Sequence, residues 1–455
     1  MTARLTRAAP SSWGRPAAPV AAVHLGLGAF FRAHQAAYTH QAGDAEEWGY
    51  AAFTGRSPDL ARTLAAQDGL FTLLVRGAGE PTASVLTSIS ESHAGTDTET
   101  WLALVGCPTT RLVTLTVSEA AYRRAPDADG AADGAADLEA LRRGDHAQCR
   151  TIPGRLVAGL AARRHADGGP LAVVPCDNLL HNGDVVRRVV TDLAAEVDPG
   201  LLAWIEESVS FVNTEVDRIT PRTTDADVEA AERLIGAYDA APAVTEPFSE
   251  WVLAGAFPAG RPAWEQAGAL FVDDVTPFEQ RKLWLLNGAH SLLAYAGSIR
   301  GHGTVADAIA DPTCRGWVEE WWDEACSHLP MAADDLATYR DALLARFANP
   351  GIEHLLAQVA ADGSQKLPVR ILPVLTEERR AGNDASAATR VLAAWVAHLR
   401  GHGAPVVDPA AEDLTRRATG PLTDAVARAR RTRPAAGRRP GRRRRRHRPD
   451  RGAHP

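Results

Sequence analysis

Short apolar runs alternate with segments of helical periodicity along the first half of the chain. Apolar runs of this length that are bounded by turn residues predict buried strands, and helix-compatible segments such as 138–143 and 152–164 lie between them. The predicted strands are residues 19–25, 48–54, 111–117 and 171–175. Strands that alternate with helices favour an α/β fold with a mostly parallel sheet.

The first predicted strand runs into a glycine turn and then into a helix. In this order the first glycine permits a tight turn and the second lets a pyrophosphate approach the helix N-terminus, as in dinucleotide-binding folds. Phe31 replaces the third glycine of that pattern, and short G-x-G runs also occur in ordinary turns. The candidate cofactor-binding residues are Gly26, Gly28, Phe31 and Arg32.

The loop after the second predicted strand does not decide which dinucleotide binds. An acidic side chain at this place would hold the ribose 2′-hydroxyl of NAD. The sequence instead reads Thr54-Gly55-Arg56-Ser57, with Asp59 as the nearest carboxylate. We expect NAD as the cofactor, with NADP as the alternative.

Strand signals largely vanish from Thr276 onward, and long helical patterns replace them. These patterns cover residues 277–297, 314–328, 337–347 and 387–399. We therefore predict a Rossmann-type N-terminal domain of residues 1–275 and an all-helical C-terminal domain of residues 276–427. The low-complexity stretch 126–136 is predicted to be a surface loop.

The composition is that of an ordinary globular protein. The chain has 455 residues, of which 45% are apolar and 23% are charged, so it is long enough for two or three domains. No run approaches the roughly 18 uncharged apolar residues that a membrane helix needs, and the N-terminus shows no secretory leader, so we expect a cytoplasmic protein. The five cysteines are scattered and never form a C-x-x-C pair, so the sequence predicts no disulfide framework and no metal site.

The net charge of −7 conceals a basic tail on an acidic body. Residues 428–455 contain thirteen arginines and one aspartate, a net charge of +12, which leaves −19 for the rest of the chain. A segment of arginine, proline and glycine cannot build a core, so we expect it to be disordered. We interpret it first as an altered or frameshifted terminus. A plain solvated tail and a nucleic-acid-binding segment are the alternatives, and we do not expect nucleic acid as a partner.

Lysine is almost absent from the chain. Of the 49 basic residues, 47 are arginines, and only Lys282 and Lys366 are lysines. Arginine keeps its proton in a protein, whereas a desolvated lysine can lose it. A bias toward arginine would replace any lysine that served only as a solvated charge, so the two lysines are candidates for chemistry. Chance persistence is the alternative.

The predicted helix 277–297 gathers polar groups around the first lysine. At about 100° per residue, Glu279, Lys282, Asn287 and His290 fall within one face of roughly 140°. Burying an amine, an amide and an imidazole among leucines is costly unless they serve a purpose. We expect desolvation to lower the pKa of Lys282 and to make its amine a general base near neutral pH. A polar cap on a structural helix is the alternative.

The spacing Lys282-x4-Asn287-x2-His290 resembles the signature of the polyol-specific long-chain dehydrogenases, the mannitol dehydrogenase family. The resemblance extends over residues 22–400 and includes several separated motifs in the same order, which chance explains poorly. These motifs are Gly26-Leu-Gly28-Ala-Phe-Phe-Arg-Ala-His34, Thr114-Leu-Thr-Val-Ser-Glu119, Cys176-Asp177-Asn178-Leu-Leu-His-Asn-Gly183, Val216-Asp217-Arg218-Ile219-Thr220-Pro221, Glu246-Pro-Phe-Ser-Glu-Trp251, Gly260-Arg-Pro-Ala-Trp264 and Asp362-Gly-Ser-Gln-Lys366-Leu-Pro368.

The resemblance implies a zinc-independent hydride transfer. Lys282 would take the hydroxyl proton while hydride leaves the same carbon for the nicotinamide of NAD, and the amides of Asn178 and Asn287 would stabilise the developing alkoxide. His290 would orient the substrate hydroxyl or carbonyl. The expected partner is therefore a small polyol or hexuronate, with no membrane involved.

The same matching assigns roles to residues around the catalytic amine. Asp217 and Lys366 would line the substrate pocket, together with Gln358, which lies eight positions before Lys366. Glu119 and Glu279 would connect the amine with solvent for proton exchange. The sequence does not predict the oligomeric state.

Different motifs favour different substrates. Gln358 and the pair Asn287-Gly288 resemble the fructuronate reductases of the family, which favours D-mannonate and D-fructuronate. Glu215 stands where the family usually has an uncharged residue, and its carboxylate would repel a uronate but not a polyol. D-Mannitol and fructose are therefore the second choice, and mannitol 1-phosphate is a weaker third. A catalytically silent dinucleotide-binding protein or a nucleic-acid-binding protein is the alternative from a different class, and the intact set of amine, amides and imidazole disfavours it.

Overall fold

The computed structural model describes residues 3–8, 13, 16–55, 57–122 and 131–420. The predicted basic tail at 428–455 lies outside these residues, as do the side chains of Glu119, Ala120 and Ala131. Strands occur up to Phe271, and a helical region begins at Thr276.

The described residues contain twelve strands. They are β1 (Val20–Leu25), β2 (Gly49–Phe53), β3 (Phe71–Val75), β4 (Thr82–Leu86), β5 (Ile89–His93), β6 (Leu112–Leu115), β7 (Leu171–Pro175), β8 (Val209–Phe211), β9 (Asn213–Asp217), β10 (Ala243–Thr245), β11 (Glu250–Ala254) and β12 (Leu270–Phe271). The four strands predicted from the sequence are β1, β2, β6 and β7, each within two residues of its predicted bounds.

One sheet of six parallel strands forms the centre of the N-terminal part, in the order β5, β2, β1, β6, β7, β8. This arrangement confirms the predicted parallel sheet. The direction in which the strands are added reverses between β1 and β6. Open parallel sheets bind ligands at such a switch point, beyond the carboxyl ends of the strands.

Both faces of this sheet are buried. Every residue of β6 and β7 is buried, as a parallel sheet with helices on both sides requires. Alternate residues of β7 belong to different apolar clusters: Ala172 and Val174 pack into one, and Leu171 and Val173 into the other. A third cluster fills the helical region.

The helices of the N-terminal part surround the sheet. They are α1 (Ala29–Ala33), α2 (Gln35–Gln41), α3 (Asp59–Ala65), α4 (Thr98–Gly106), α5 (Ala131–Arg143), α6 (Ile152–His165), α7 (Asn182–Val197), α8 (Pro199–Ser208) and α9 (Asp225–Ile235). The surface loop predicted at 126–136 is wrong from residue 131 onward, where α5 begins. The alanines of residues 131–136 are strong helix formers and outweigh Gly134; residues 126–130 lie outside the described part.

Two small sheets complete the N-terminal part, one of β3, β4 and β10 and one of β9, β11 and β12. β9 runs antiparallel to β11 and pairs Glu215 with Val252 and Asp217 with Glu250. The last four residues of β9 are buried. This strand therefore carries two carboxylates into the interior.

From Thr276 to the end of the described residues, helices joined by loops are the regular structure, apart from an isolated bridge between Thr304 and Leu355. Its α-helices are α10 (Thr276–Arg281), α11 (Gly288–Leu292), α12 (Val305–Ala310), α13 (Pro312–Cys326), α14 (Ala333–Phe347), α15 (Leu356–Val359), α16 (Gly363–Arg370), α17 (Leu372–Arg380), α18 (Ser386–Leu399) and α19 (Ala411–Arg417). The predicted fold class, a Rossmann-type domain followed by a helical one, is confirmed. None of the helices in the described ranges has the length and apolarity to span a bilayer.

The predicted helix 277–297 is a continuous helical run but not a uniform α-helix. α10 passes into a π-helical segment at Lys282–Asn287, α11 follows, and a second π-helical segment covers Leu293–Gly297. Hydrogen bonds of a π-helix span five residues. Lys282 and Asn287 therefore lie about one turn apart, closer in angle than a regular α-helix would place them.

Two tryptophans of α13 hold the first π-helical segment. Nε1 of Trp321 donates to the carbonyl oxygen of Trp284 at 2.8 Å, and Nε1 of Trp322 donates to that of Leu285 at 2.9 Å. These bonds satisfy backbone oxygens where the α-helical hydrogen-bond pattern is interrupted. Gly288 packs against the same indole, and a Cβ atom at this position would lie 2.7 Å from Nε1 of Trp321.

Gly288→Ala is expected to lower the free energy of unfolding by about 1–3 kcal/mol, because the added methyl group meets a rigid, buried indole. Urea denaturation followed by circular dichroism measures this change. Gly316→Ala is the matched control, since Gly316 lies in α13 and an added methyl group meets nothing within 4 Å. We expect the control to be neutral or to stabilise by up to about 1 kcal/mol; equal effects of the two substitutions would contradict this packing account.

Candidate active site

A cleft between the sheet region and the helical region collects most of the predicted catalytic residues. Its lining comes from the loop after β7, from β9 and from the helical run that begins at Thr276. The lining residues are Asp177, Asn178, Leu179, Leu180, Thr214, Glu215, Val216, Glu279, Lys282, Leu283 and Asn287. Glu279, Lys282 and Asn287, which share one predicted helix, thus lie together with Asn178 from a motif about a hundred residues earlier in the chain.

Lys282 makes three polar contacts in this cleft. Its Nζ donates to Oδ1 of Asn178 at 3.0 Å and to the backbone oxygen of Val216, and it lies 3.0 Å from Oε1 of Glu215. The lysine side chain is only 12% exposed. Because Asn178 uses its oxygen to bind the amine, its Nδ2 group remains to donate to a ligand.

The pKa of Lys282 is shifted in the direction opposite to the prediction. Burial lowers this pKa, but the carboxylates of Glu215 and Asp217 outweigh burial and raise it above the ordinary lysine value. Burial also raises the pKa of Glu215, against the opposing effect of the Lys282 charge. The prediction of a lowered lysine pKa was wrong because helical periodicity does not reveal an acidic partner that comes from β9.

The loop that carries Asn178 is tied to β9 by a buried amide. Nδ2 of Asn182 donates to the backbone oxygens of Asp177 and Thr214, both at 3.0 Å, and Oδ1 of Asn182 accepts from the backbone N–H of Thr214 at 2.8 Å. His181, just before this residue, has a φ of 49°, which is rare for a residue other than glycine. These constraints fix the separation between Asn178 and the carboxylate of Glu215.

Asp177 is a buried carboxyl group that the sequence reasoning did not single out, although it precedes Asn178 directly. It accepts hydrogen bonds from the backbone N–H of Val117 and from the hydroxyl of Tyr122. Burial raises its pKa to about 7 against these two hydrogen bonds. The cleft therefore contains an acid that titrates near neutral pH.

Asp217 belongs to a buried ion-pair network rather than to the lining of the cleft. Both of its oxygens accept from Arg346 of α14, at 2.6 and 2.9 Å, and the same guanidinium binds both oxygens of Glu246 at 2.8 and 3.0 Å. Burial raises the pKa of Asp217, but Arg346 outweighs burial and lowers it. Arg346, which has no signal in the sequence beyond being one of many arginines, links the helical region to β9.

The predicted residues Glu279 and His290 occupy different surroundings. Oε1 of Glu279 accepts from the backbone N–H of His181 at 2.8 Å, and burial raises the pKa of the Glu279 carboxyl. His290 is buried beside Phe347 and His354, with ring centroids 4.8 and 4.9 Å away. Burial lowers the pKa of His290 well below its ordinary value, and its Nε2 has no hydrogen-bond partner among the described residues.

The second lysine, Lys366, lies near His290. Nζ of Lys366 donates to the backbone oxygen of Val359 at 3.3 Å, and burial lowers the pKa of this lysine. The charges of Lys366 and of Arg370, one turn further along α16, both lower the pKa of His290. Gln358 is exposed on α15 and does not line the cleft.

The glycine turn after β1 fits a dinucleotide through its backbone. Gly26 has a φ of 114° and packs against the backbone of Thr116 in the adjoining chain segment after β6, so no other residue fits there. A Cβ atom at Gly28 would meet only its own loop, with the oxygen of Gly26 at 3.5 Å, which leaves the space in front of the turn open. This turn lies at the switch point of the sheet, where the fold places such ligands.

The side chains of Phe31 and Arg32 belong to the core and not to the open face of this turn. Phe31 is fully buried and stacks on His24 with ring centroids 3.6 Å apart. Arg32 donates to the backbone oxygens of Gly28 and Ala241. Glu119 begins a short 3-10 turn after β6, and its side chain lies outside the described residues.

One cluster of possible metal ligands occurs within the described ranges, formed by His302, Asp311 and Cys314. Asp311 already accepts from Nε of Arg300 at 2.7 Å, from the backbone N–H of Thr313 at 2.8 Å, and lies 3.0 Å from Nε2 of His302. The guanidinium thus supplies the positive charge that a metal ion would bring. We assign this cluster a structural role at the start of α13.

Two family profiles match the chain. The profile described as the mannitol dehydrogenase Rossmann domain matches residues 20–266, and the profile described as the mannitol dehydrogenase C-terminal domain matches residues 274–427. The gap between the two matches lies next to the start of the helical region.

Relatives and solved structures agree with these profiles. The D-mannonate oxidoreductase of Escherichia coli (strain K12) is 36% identical over 417 residues, which cover 88% of this chain and 85% of the relative. The mannitol 2-dehydrogenase of Pyrenophora tritici-repentis (strain Pt-1C-BFP) is 34% identical over 422 residues, which cover 88% of this chain and 74% of the relative. The ternary complex of Pseudomonas fluorescens mannitol 2-dehydrogenase with NAD and D-mannitol has a TM-score of 0.75 at 33% identity and covers 92% of this chain and 87% of its own. A substrate-free D-sorbitol dehydrogenase has a TM-score of 0.83 at 29% identity and covers 92% of this chain and 91% of its own.

Arg346→Gln is expected to lower the free energy of unfolding by about 3–5 kcal/mol at pH 7.5, because it leaves Asp217 and Glu246 buried without their cation. Their pKa values rise when the guanidinium is lost, so the carboxyls of the variant take up protons as the pH falls and the destabilisation shrinks toward pH 5. Denaturation curves at several pH values measure both effects.

The matched control is Arg340→Gln on the same helix. Arg340 pairs with Asp323, whose side chain is 70% exposed, and such pairs contribute at most about 1 kcal/mol. An Arg346 variant as stable as this control, or a loss that does not depend on pH, would contradict the network described here.

Proposed function

Because the chain belongs to the mannitol dehydrogenase family, we propose that it is an NAD-dependent oxidoreductase that interconverts the C2 hydroxyl of D-mannonate and the C2 ketone of D-fructuronate. The observation that carries the chemistry is the position of the Lys282 amine, 3.0 Å from Oδ1 of Asn178 in a cleft that Asn287 also lines. An amine beside two amides is suited to move a proton on a substrate oxygen while hydrogen bonds hold that oxygen.

The residues of the cleft have different roles at the substrate oxygen. Lys282 holds the proton that is exchanged with the C2 oxygen. Nδ2 of Asn178 and the amide of Asn287 donate to the same oxygen while it carries negative charge. The neutral His290, with an unpaired Nε2, is available to orient a neighbouring hydroxyl.

The backbone around Gly26 and Gly28 would hold the dinucleotide at the switch point of the sheet, beside the carboxyl ends of β1 and β6. When bound, the nicotinamide accepts or supplies the hydride at C2. We propose NAD, which the Pseudomonas fluorescens relative binds in its ternary complex, and a reaction that needs no metal ion.

The anionic substrate is favoured by two cations of α16 that lack a carboxylate partner. Among the described residues, Lys366 and Arg370 donate only to backbone and hydroxyl oxygens, at 3.3 to 3.4 Å. Burial lowers the pKa of Arg370 to about 10, so it stays charged at neutral pH. Two cations near His290 without a directly bound carboxylate suit a hexonate, whose carboxylate would bind them.

The D-mannitol and fructose pair is the second candidate, and Glu215 favours it. Its carboxylate lines the cleft beside Lys282, where a neutral polyol meets no repulsion. Gly288 does not bear on the choice of substrate, because its contact with Trp321 explains the absence of a side chain there. The exposed Gln358 no longer bears on the choice either.

Purified protein is expected to reduce D-fructuronate with NADH in the presence of a chelator, with a kcat/KM at least about tenfold above that for fructose, which corresponds to about 1.4 kcal/mol. A preference for fructose would reverse the ranking. The control is Lys282→Arg, because a guanidinium keeps its proton and cannot exchange it. Its kcat is expected to fall by at least about a hundredfold while NADH binding, measured by fluorescence, stays within twofold or so of the wild type.

Arg370→Gln tests the recognition of the substrate carboxylate. If Arg370 binds it, KM for D-fructuronate is expected to rise by at least about tenfold while KM for fructose changes little, because loss of a charge-assisted hydrogen bond costs about 1.5–3 kcal/mol. Arg379→Gln, an exposed arginine on α17, is the matched control. Equal changes for the two substrates would show that Arg370 only supports the helix at Asn287 and Ser291.

A further inference from the structure

Glu215 is a buried carboxylate with one cationic neighbour at contact distance. Its side chain is 3% exposed, and Oε1 lies 3.0 Å from Nζ of Lys282. Within the described residues, no other donor forms a directed hydrogen bond to either carboxylate oxygen. Glu215 therefore differs from Asp217, whose two oxygens are both occupied by Arg346.

A carboxylate in this position depends on the charge of the lysine. An unpaired charge that is removed from water costs several kcal/mol, and a close cation is what offsets this cost. The dependence is mutual, since the carboxylate stabilises the ammonium in the same way. Loss of the proton from Lys282 would leave Glu215 as an isolated buried anion.

We propose that Glu215 is a positioning residue that keeps Lys282 protonated between turnovers, so that at neutral pH the enzyme works mainly as a ketone reductase with Lys282 as the proton donor. The direction of catalysis in this inference rests on the proposed function. The protonation state of Lys282 does not, because it follows from the contacts of the amine alone.

The other acidic groups around the amine are neutralised or tied elsewhere. Asp217 of β9 is paired with Arg346. Glu279, on the helical run of the lysine itself, accepts from the backbone N–H of His181, and Asp177 in the loop after β7 accepts from Val117 and Tyr122. Glu215 is thus the carboxylate in direct contact with the amine.

The cationic groups nearby do not reverse this balance. The charge of Arg346 lowers the pKa of Lys282, but this guanidinium is paired with the carboxylates of Asp217 and Glu246. His34 of the α1–α2 junction stays neutral, because burial lowers its pKa to about 3. A further cation, Arg281, is paired with Glu250 of β11, a carboxylate that raises the pKa of Glu215.

The upward shift of the Lys282 pKa agrees with this geometry. Burial lowers the pKa of Lys282, but Glu215 and Asp217 outweigh it and the net shift is upward, while burial raises the pKa of Glu215. As the pH rises, the carboxyl loses its proton first and the amine keeps its own to a pH above the ordinary lysine range. Lys282 is therefore an ammonium at neutral pH.

In the reducing direction this ammonium is the required form. Hydride from the reduced nicotinamide adds to C2, the C–O double bond becomes a single bond, and the proton leaves Nζ of Lys282 for the substrate oxygen. The neutral amine then regains a proton from water, beside the carboxylate of Glu215. Oxidation of the alcohol needs the amine to start neutral, so its rate at pH 7 is limited by the small neutral fraction.

The near absence of lysine makes the charge of Lys282 directly measurable. Full-length protein produced with lysine that carries 13C at Cε has only two labelled side chains, Lys282 and Lys366, and a Lys366→Arg variant assigns the two NMR signals. In the wild type, the signal of Lys366 is expected to titrate first, since burial lowers its pKa. The signal of Lys282 is expected to stay in its ammonium position beyond that point. A Lys282 signal that titrates at or before that of Lys366 overturns the proposal without any variant of Glu215.

Glu215→Gln removes the carboxylate and keeps the shape of the side chain. The Lys282 titration is expected to move down by about 1–3 pH units, and the pH above which D-fructuronate reduction falls is expected to move down by the same amount. Glu215→Asp, which retains the charge, is expected to keep the titration near that of the wild type. Glu378→Gln is the matched control, because Glu378 is similarly buried but pairs with His328; it should move neither quantity.

An unchanged Lys282 titration in Glu215→Gln contradicts the proposal even if that variant is less stable. Failure of the proposal for Glu215 and failure of the proposed function are distinguishable, because the NMR titration needs no substrate. If Lys282 titrates as expected but wild-type protein reduces no ketose or hexuronate, the proposed function is wrong and the charge state of the lysine stands.

Discussion

The site depends on β9, a strand of the N-terminal part that carries two carboxylates into the interior, and on two cations of the helical region that meet them. Lys282 lies 3.0 Å from Glu215, and Arg346 binds Asp217 through two hydrogen bonds. Buried charges are tolerated only when they are paired. The two regions must therefore pack in one relative position, and that position sets the distance between Lys282 and Asn178.

The same pairing determines what the cleft can do. Asn178 uses its oxygen to hold the amine and keeps its Nδ2 for a ligand, and the π-helical turn brings Asn287 to the same side as Lys282. The acidic partner raises the pKa of the amine, which burial alone would lower, and we infer that Lys282 serves as a proton donor. Two cations of α16 remain without a carboxylate among the described residues, and we infer that the substrate supplies it.

The fold and the centre of the site could be predicted from the sequence because both have local signals. β1, β6 and β7 are short apolar runs, and Lys282, Asn287 and Glu279 lie within nine residues of one another. The pairing of Lys282 with Glu215 could not be predicted from the sequence. The two residues are 67 positions apart, and the pattern of β9, which carries Glu215, does not indicate that a lysine of the helical region contacts it. The π-helical turn was also missed, since it depends on the indoles of Trp321 and Trp322 in another helix.

The role of Lys282 as proton donor to the substrate is tested most sharply by a crystal structure of the protein with NAD and D-mannonate. We expect the C2 oxygen of the ligand to lie about 2.6–3.2 Å from Nζ of Lys282. Nδ2 of Asn178 should donate to the same oxygen, and the ligand carboxylate should be directed toward Lys366 and Arg370. A complex in which the C2 oxygen faces another group, with Lys282 still bound to Glu215 and out of its reach, would contradict the account.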